Sequence, residues 1–370
     1  MAPPFIFPNP CDMTGLPTNM EENPIHQKSQ RGDTPTLPQT TSTPFTKAIF
    51  PRVTVPLSAL LANLDEQLVK IVTDAPDKFI AIVVFNAGNK YFREHPSANL
   101  EVRRFVKSLG LPDQNVTVAK PASKNKPNQR REFEKPWTMI MAGAGPELRS
   151  FLLWHQTFAV TPTLTFSALP FDEGAQSWVI MNISGDAVDD TREAKNQAMG
   201  AIKVYLWYNA KFRALADRCL APQNIGESTA ERAYLATMSY DLAYVETKDN
   251  QGNDAPIWQL TGKPITTDMG RHKEYLNIIR GGRYMVGLHF LEIERRFVDC
   301  AGCKSDTHPA HMCPFPRTED WMGPVPDNAE RFLKRMEGNS GKKEKDSPPR
   351  RGGKGSSSKG GWKTVTRSRR

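Results

Sequence analysis

No run of eighteen apolar residues occurs in the chain, so no segment is expected to cross a membrane as a helix. Hydrophobic residues make up 38% of it, low for a chain folded from end to end, while prolines are plentiful at 30. The stretch from Met1 to Pro10 is apolar, but it has no Lys or Arg and holds four prolines, which excludes a signal peptide. An intracellular protein, nuclear or cytoplasmic, is therefore expected, and the sequons at Asn115 and Asn182 and the Arg31-Gly32-Asp33 triplet are chance matches. Catalytic signatures are missing as well. There is no Gly-x4-Gly-Lys-Ser/Thr loop, no His-Glu-x-x-His and no Gly-x-Ser-x-Gly. Gly143-Ala-Gly145 begins like a dinucleotide loop, but Pro146 breaks the spacing and starts a helix instead. His155 and His289 lie in apolar neighbourhoods with no carboxylate close in sequence, and both read as histidines at the edge of a core. Neither an enzyme nor a small-molecule substrate is expected.

Net charge is also missing from most of the chain. The formal charge is +9, but residues 341–370 hold eleven basic residues and two acidic ones, so residues 1–340 balance with 38 of each sign. That excludes a chain that binds polyanions over its whole surface and leaves a basic appendage. Arg350, Arg351, Lys354, Lys363, Arg367, Arg369 and Arg370 interleave with glycine and one aromatic, Trp362. Lys and Arg neutralise phosphates and release counterions, and Trp362 is placed to stack on a base. These residues are the expected nucleic-acid contacts of the tail, and a split nuclear import signal is compatible with the same charges.

Hydrophobic patterning divides the rest. Residues 1–52 are rich in Pro, Thr, Asn and Gln, with no hydrophobic period, and read as a disordered arm. From residue 53 to 172 a helix capped by Ser58 is followed by strands at 79–85, 116–118, 137–141 and 164–169, with helices through Phe105 and Phe151. That order, β-α-β-β-α-β, is the ferredoxin-like pattern shared by many RNA-binding modules. Residues 173–297 repeat it as a variant: a strand at 178–184, one long helix from Thr191 through Phe212, an extra helix near Ala230, a hairpin around 249–254, a helix ending at Gly281 and one final strand over 284–294. The expected fold class is α+β: two tandem ferredoxin-like (RRM-like) modules, a small zinc knuckle at 298–324, and a linker with a disordered basic tail at 325–370.

Five cysteines are few and odd in number, yet three fall within fourteen residues. In an intracellular chain this favours a metal over disulfides. Cys300-Ala-Gly-Cys303-Lys-Ser-Asp-Thr-His308-Pro-Ala-His-Met-Cys313 has the spacing C-x2-C-x4-H-x4-C. A Cys-x-x-Cys turn sets two thiolates on one side of an ion, and two four-residue gaps let the loop return to close a tetrahedral shell. Zinc is the expected cofactor, held by Cys300, Cys303, His308 and Cys313, with His311 a poorly spaced alternative.

This segment resembles the zinc knuckle of retroviral and retrotransposon gag proteins and of many cellular RNA-binding proteins. Together with Pro314-Phe-Pro316, Trp321 and Gly323-Pro324, with Pro136-Trp137 and with Thr165-Phe-Ser-Ala-Leu-Pro-Phe171, it is similar to uncharacterised knuckle proteins of mushroom-forming fungi. The resemblance implies single-stranded nucleic acid, RNA favoured, as the partner. It also leaves room for a gag-like assembly protein that self-associates, or for a knuckle that binds protein alone. Lys304 and Thr307 replace the usual glycines, and Ala301 replaces the usual base-stacking aromatic. Lys304, Phe315 and Trp321 are the expected nucleic-acid contacts of the knuckle.

Overall fold

The computed structural model describes residues 5–10, 18–39, 41–87, 91–112, 115–122, 136–172, 174–249, 251–294 and 298–325. Its class is α+β, with two five-stranded antiparallel sheets flanked by helices.

Two short helices come before the first sheet, α1 (Leu57–Leu60) and α2 (Glu66–Asp74). The single helix expected there breaks because Asn63 takes a left-handed φ of 61° and Asp65 caps α2, accepting from the backbone N–H of Gln67 at 3.0 Å. The first module then runs β1 (Phe79–Val84), α3 (Tyr91–Glu94), α4 (Ala98–Ser108), β2 (Thr117–Ala119), β3 (Thr138–Ala142), α5 (Pro146–His155), β4 (Thr157–Thr161) and β5 (Leu164–Pro170). The second runs β6 (Val179–Ser184), α6 (Arg192–Tyr208), α7 (Ala210–Leu220), α8 (Thr229–Leu235), β7 (Asp241–Val245), β8 (Ile257–Thr261), α9 (Met269–Arg280), β9 (Tyr284–Val286) and β10 (His289–Glu294).

The sheet orders are β2-β3-β1-β5-β4 and β7-β8-β6-β10-β9, the same path traced twice. Each is compatible with a ferredoxin-like module that carries one added edge strand, β4 or β9. The hydrophobic pattern gives no sign of β4 and merges β9 with β10 in one strand. Gln156, at φ 66°, separates β4 from α5. Gly287, at φ 59°, turns the single strand expected over 284–294 into a hairpin. Asn209 divides the long helix expected from Thr191: its side chain caps α7 by accepting from the N–H of Phe212 at 3.0 Å. At Gly143 (φ 76°) the chain passes so close to residue 115 that a Cβ would stand 2.3 Å from the Asn115 carbonyl oxygen, which only glycine avoids.

The arm expected to be disordered is ordered wherever it is described from residue 18 to 52. Its isolated aromatics anchor it: Phe50 is fully buried and Phe45 is 7% exposed. Its backbone bonds to the first module, with Gln30 N–H on the Trp154 carbonyl at 2.7 Å and Thr46 N–H on the Ala159 carbonyl of edge strand β4 at 2.9 Å. Such bonds have no signature in local sequence, because both partners lie more than a hundred residues away. Phe7 stacks on Trp207 of the second module at 5.1 Å. His155 lies inside a ring of Phe45, Phe50, Phe151 and Phe158, and burial pushes its pKa down to about 4. His289 is not at a core edge as expected but exposed on β10, 3.9 Å from the Asp186 carboxylate.

Both faces of the central strand β1 are covered. Ile80, Ile82 and Val84 alternate with Ala81, Val83 and Phe85 on opposite faces, and all six are at most 4% exposed. An RRM-like module that stacks bases on its sheet keeps one face open. The central strand β1 keeps none.

Candidate metal centre

Cys300, Cys303, His308 and Cys313 converge, with one ligand atom from each lying within 4.8 Å of the others. A tetrahedral shell with bonds of about 2.0–2.3 Å separates its donors by about 3.3–3.8 Å. The Cys303 Sγ to His308 Nε2 distance, 3.5 Å, is already in that range. Three thiols and one imidazole can therefore hold a metal ion after a small contraction, and the donor chemistry suits zinc. His311 stands outside the group of four.

The loop that carries the donors is held by its own backbone. Cys300 N–H donates to the Ser305 carbonyl at 2.8 Å, and Lys304 N–H returns to the Cys300 carbonyl at 3.0 Å. The turn places Lys304 at φ 67°. Glycine adopts that conformation freely, whereas a lysine bears it at a cost of about 1–2 kcal/mol. The Lys304 Nζ donates to the Ala301 carbonyl at 2.7 Å, so part of its charge is turned back onto the loop. Thr307 Oγ1 lies 2.9 Å from His308 Nδ1, and Ser305 Oγ lies 2.8 Å from Thr307 Oγ1. With Nδ1–H directed to the threonine, Nε2 presents its lone pair to the thiols, which is the orientation a metal-binding imidazole needs. Thr307 supplies this hydrogen bond. Ligand spacing alone gives no reason to single it out.

The three thiols share protons unequally. Hydrogen bonds from Cys303 and Cys313 hold the Cys300 thiol well below its ordinary range. Burial pushes the Cys303 thiol up, and the hydrogen bond to Cys300 pushes Cys313 up to about 12. Metal binding must expel the protons that Cys303 and Cys313 keep, so affinity falls as pH falls.

The loop is wedged between the two modules. Cys300 and Cys303 are fully buried and Cys313 is 4% exposed, within the same apolar cluster as β1, Phe50 and Phe85. On the first module, Asn86 N–H, just beyond β1, donates to the Gly302 carbonyl at 3.0 Å. On the second, Asp306 receives two bonds: Gln259 Nε2 of β8 donates to its carbonyl at 2.9 Å, and the Ser177 hydroxyl donates to its carboxylate. Gln259 also reaches Asn182 of β6 at 3.2 Å, so the buried polar pair on that sheet face is turned toward the loop. Val298 packs with Val245 and Ile257, and Met312 lies against them. Nothing within the motif signals Asn86, Ser177 or Gln259, because each is brought in by tertiary packing.

The aromatics beyond the last cysteine face inward. Phe315 is 1% exposed and sits against Phe85 at 5.1 Å, Phe50 at 5.7 Å and Trp321 at 5.9 Å. The ring is packed among these side chains beside the metal loop and is not presented to solvent. Trp321 is half-buried in the same cluster, its Nε1 donating to the Pro324 carbonyl at 3.1 Å. The expected tail residues, Arg350, Arg351, Lys354, Trp362, Lys363, Arg367, Arg369 and Arg370, lie outside the described residues. Among the described residues no helix is long and apolar enough to cross a membrane. None of the protein-family models, curated proteins or solved structures compared with the chain matches it.

Proposed function

We propose that this chain is a zinc-dependent nucleic-acid-binding protein, single-stranded RNA favoured, in which the metal is a structural clasp between two ferredoxin-like modules and the basic tail supplies charge. The observation that carries the reading is the Cys3His group seated between both modules, followed along the sequence by a tail that holds the whole net charge of the chain. Four donors leave no open coordination position, which suits a structural rather than a catalytic ion. Free thiols at this centre need a reducing compartment, which fits an intracellular protein. The gag-like resemblance stays within this proposal, but with the three thiols and Phe315 buried, the chain would hold nucleic acid elsewhere than on the knuckle.

The test is filter binding of the full chain to a labelled single strand, with and without residues 341–370. Removing them is expected to weaken binding at least tenfold at 0.15 M salt. It should also flatten the salt dependence by about 0.7 in log K against log salt for each phosphate that the tail no longer neutralises. A chain that binds equally well without the tail removes the tail from the proposal, and a full chain that captures no strand at low salt refutes the nucleic-acid reading and leaves a protein-binding knuckle.

A gag-like assembly role is the second reading, favoured by one observation. Met285, Leu288 and Phe290 are 56%, 94% and 60% exposed on the β9–β10 hairpin, and β9 is an outer strand of its sheet. An apolar outer edge invites pairing with another chain. Sedimentation of the full chain should show a concentration-dependent dimer that Leu288→Lys with Phe290→Lys reverses, and a strict monomer would remove this reading.

A further inference from the structure

The metal loop lacks the means to hold bases: Ala301 stands where an aromatic is customary and Phe315 is buried. Both faces of β1 are covered, and the metal loop bonds to Gln259 on the second sheet. A single strand needs a basic groove and an aromatic platform elsewhere. The helical side of the second module offers both.

A groove of about 900 Å³ runs between the end of α6, α7 and α9. Three cations, Lys211, Arg218 and Lys273, line it against one carboxylate, Glu274. Glu274 is already engaged by Arg218 at 2.6 Å, which leaves the two lysines as the uncompensated charges of the lining. Both lysines are exposed, as is Arg271 one turn from Glu274 on α9. The remaining acid of α7, Asp217, is drawn off to Arg232 at 2.6 Å. The lining also carries Tyr205, half-buried and held edge-on to Tyr284 at 5.0 Å, and the side-chain amide of Asn277. Residues 1–340 have no net charge, so a local excess of this kind is not an average property of the surface. Tyr205 also lines the neighbouring groove between α6 and β9, so the two depressions meet at this ring.

We infer that this groove is the binding site for a single-stranded polynucleotide, with Lys211 and Lys273 on its phosphates and Tyr205 beneath a base. The inference rests on the nucleic-acid reading above and places its site within the folded region. The tail, tethered to the same chain, adds non-specific affinity at high effective concentration.

The experiment uses the zinc-loaded full chain and fluorescein-labelled rU15 and dT15, measured by anisotropy from 0.05 to 0.3 M salt. Lys211→Gln with Lys273→Gln is expected to weaken binding on the order of tenfold at 0.1 M and to flatten the salt slope by about 1.4. Lys70→Gln with Lys78→Gln removes the same charge from exposed sites on the first module and should change neither by more than about twofold. Tyr205→Leu should cost about fivefold or more, with Tyr205→Phe restoring it, because stacking needs a ring and not a hydroxyl. Thermal melts of all variants should coincide to within a few degrees. Tighter binding of rU15 than dT15, or the reverse, sets the sugar preference and supports the site in either case. If the groove pair behaves like the control pair while the parent binds, the site is wrong and the nucleic-acid reading stands. If the parent binds neither oligonucleotide at 0.05 M salt, both fall.

Discussion

Cys303→Ser is expected to abolish metal binding and to loosen the two modules from each other. The thiol is fully buried and is one of the four donors of the group, so its loss leaves three. Metal content by mass spectrometry should fall from one zinc per chain to almost none. Zinc contributes roughly 10–16 kcal/mol to the folding of isolated zinc-finger peptides. Here the loop is also supported by protein on both sides, so the expected loss is smaller, about 3–5 kcal/mol, comparable to breaking a buried polar network. Limited proteolysis should cut first within 298–325 and near 171–178, where the loop meets Ser177. A chelator added to the parent should reproduce both changes. An unaltered melting temperature together with lost zinc would mean that the ion binds without clasping anything.

Phe315→Ala separates packing from base recognition. The ring is 1% exposed among Phe50, Phe85 and Trp321. Truncating a buried phenylalanine costs about 3–5 kcal/mol through reduced burial and the cavity left behind. For a folded unit of this size that lowers the melting temperature by roughly ten degrees. Affinity for a single strand, measured well below the new midpoint, should stay within about twofold of the parent. The opposite pattern, an unchanged melt with strongly weakened binding, would restore Phe315 as a stacking residue. Because Phe50 comes from the N-terminal arm and Phe85 from the end of β1, the same substitution should also speed proteolysis within residues 18–52.

The elements legible in the sequence are those whose cause is local. The apolar, mostly β-branched run Phe79–Val84 forms β1 because such side chains suit a strand buried on both faces. Asp268 begins α9 by accepting from the N–H of Arg271 at 2.7 Å, and Gly281 follows its end. What stayed hidden depends on distant partners. The strand β4 is five residues long and is defined by pairing with β5. The arm looks disordered because its few aromatics keep no period, yet Phe45 and Phe50 find pockets built by residues more than a hundred positions onward.

The metal centre divides in the same way. Cys300, Cys303, His308 and Cys313 were determined by the sequence alone, because a tetrahedral shell closed by one short loop demands those donors at those spacings. The tertiary structure decided where the loop sits. It brings Asn86, Ser177 and Gln259 from two modules onto one fourteen-residue segment and turns Phe315 inward. Ligand spacing is a property of covalent geometry and survives in any context. Burial depends on which surfaces meet, and those surfaces lie between about fifty and more than two hundred residues away along the chain.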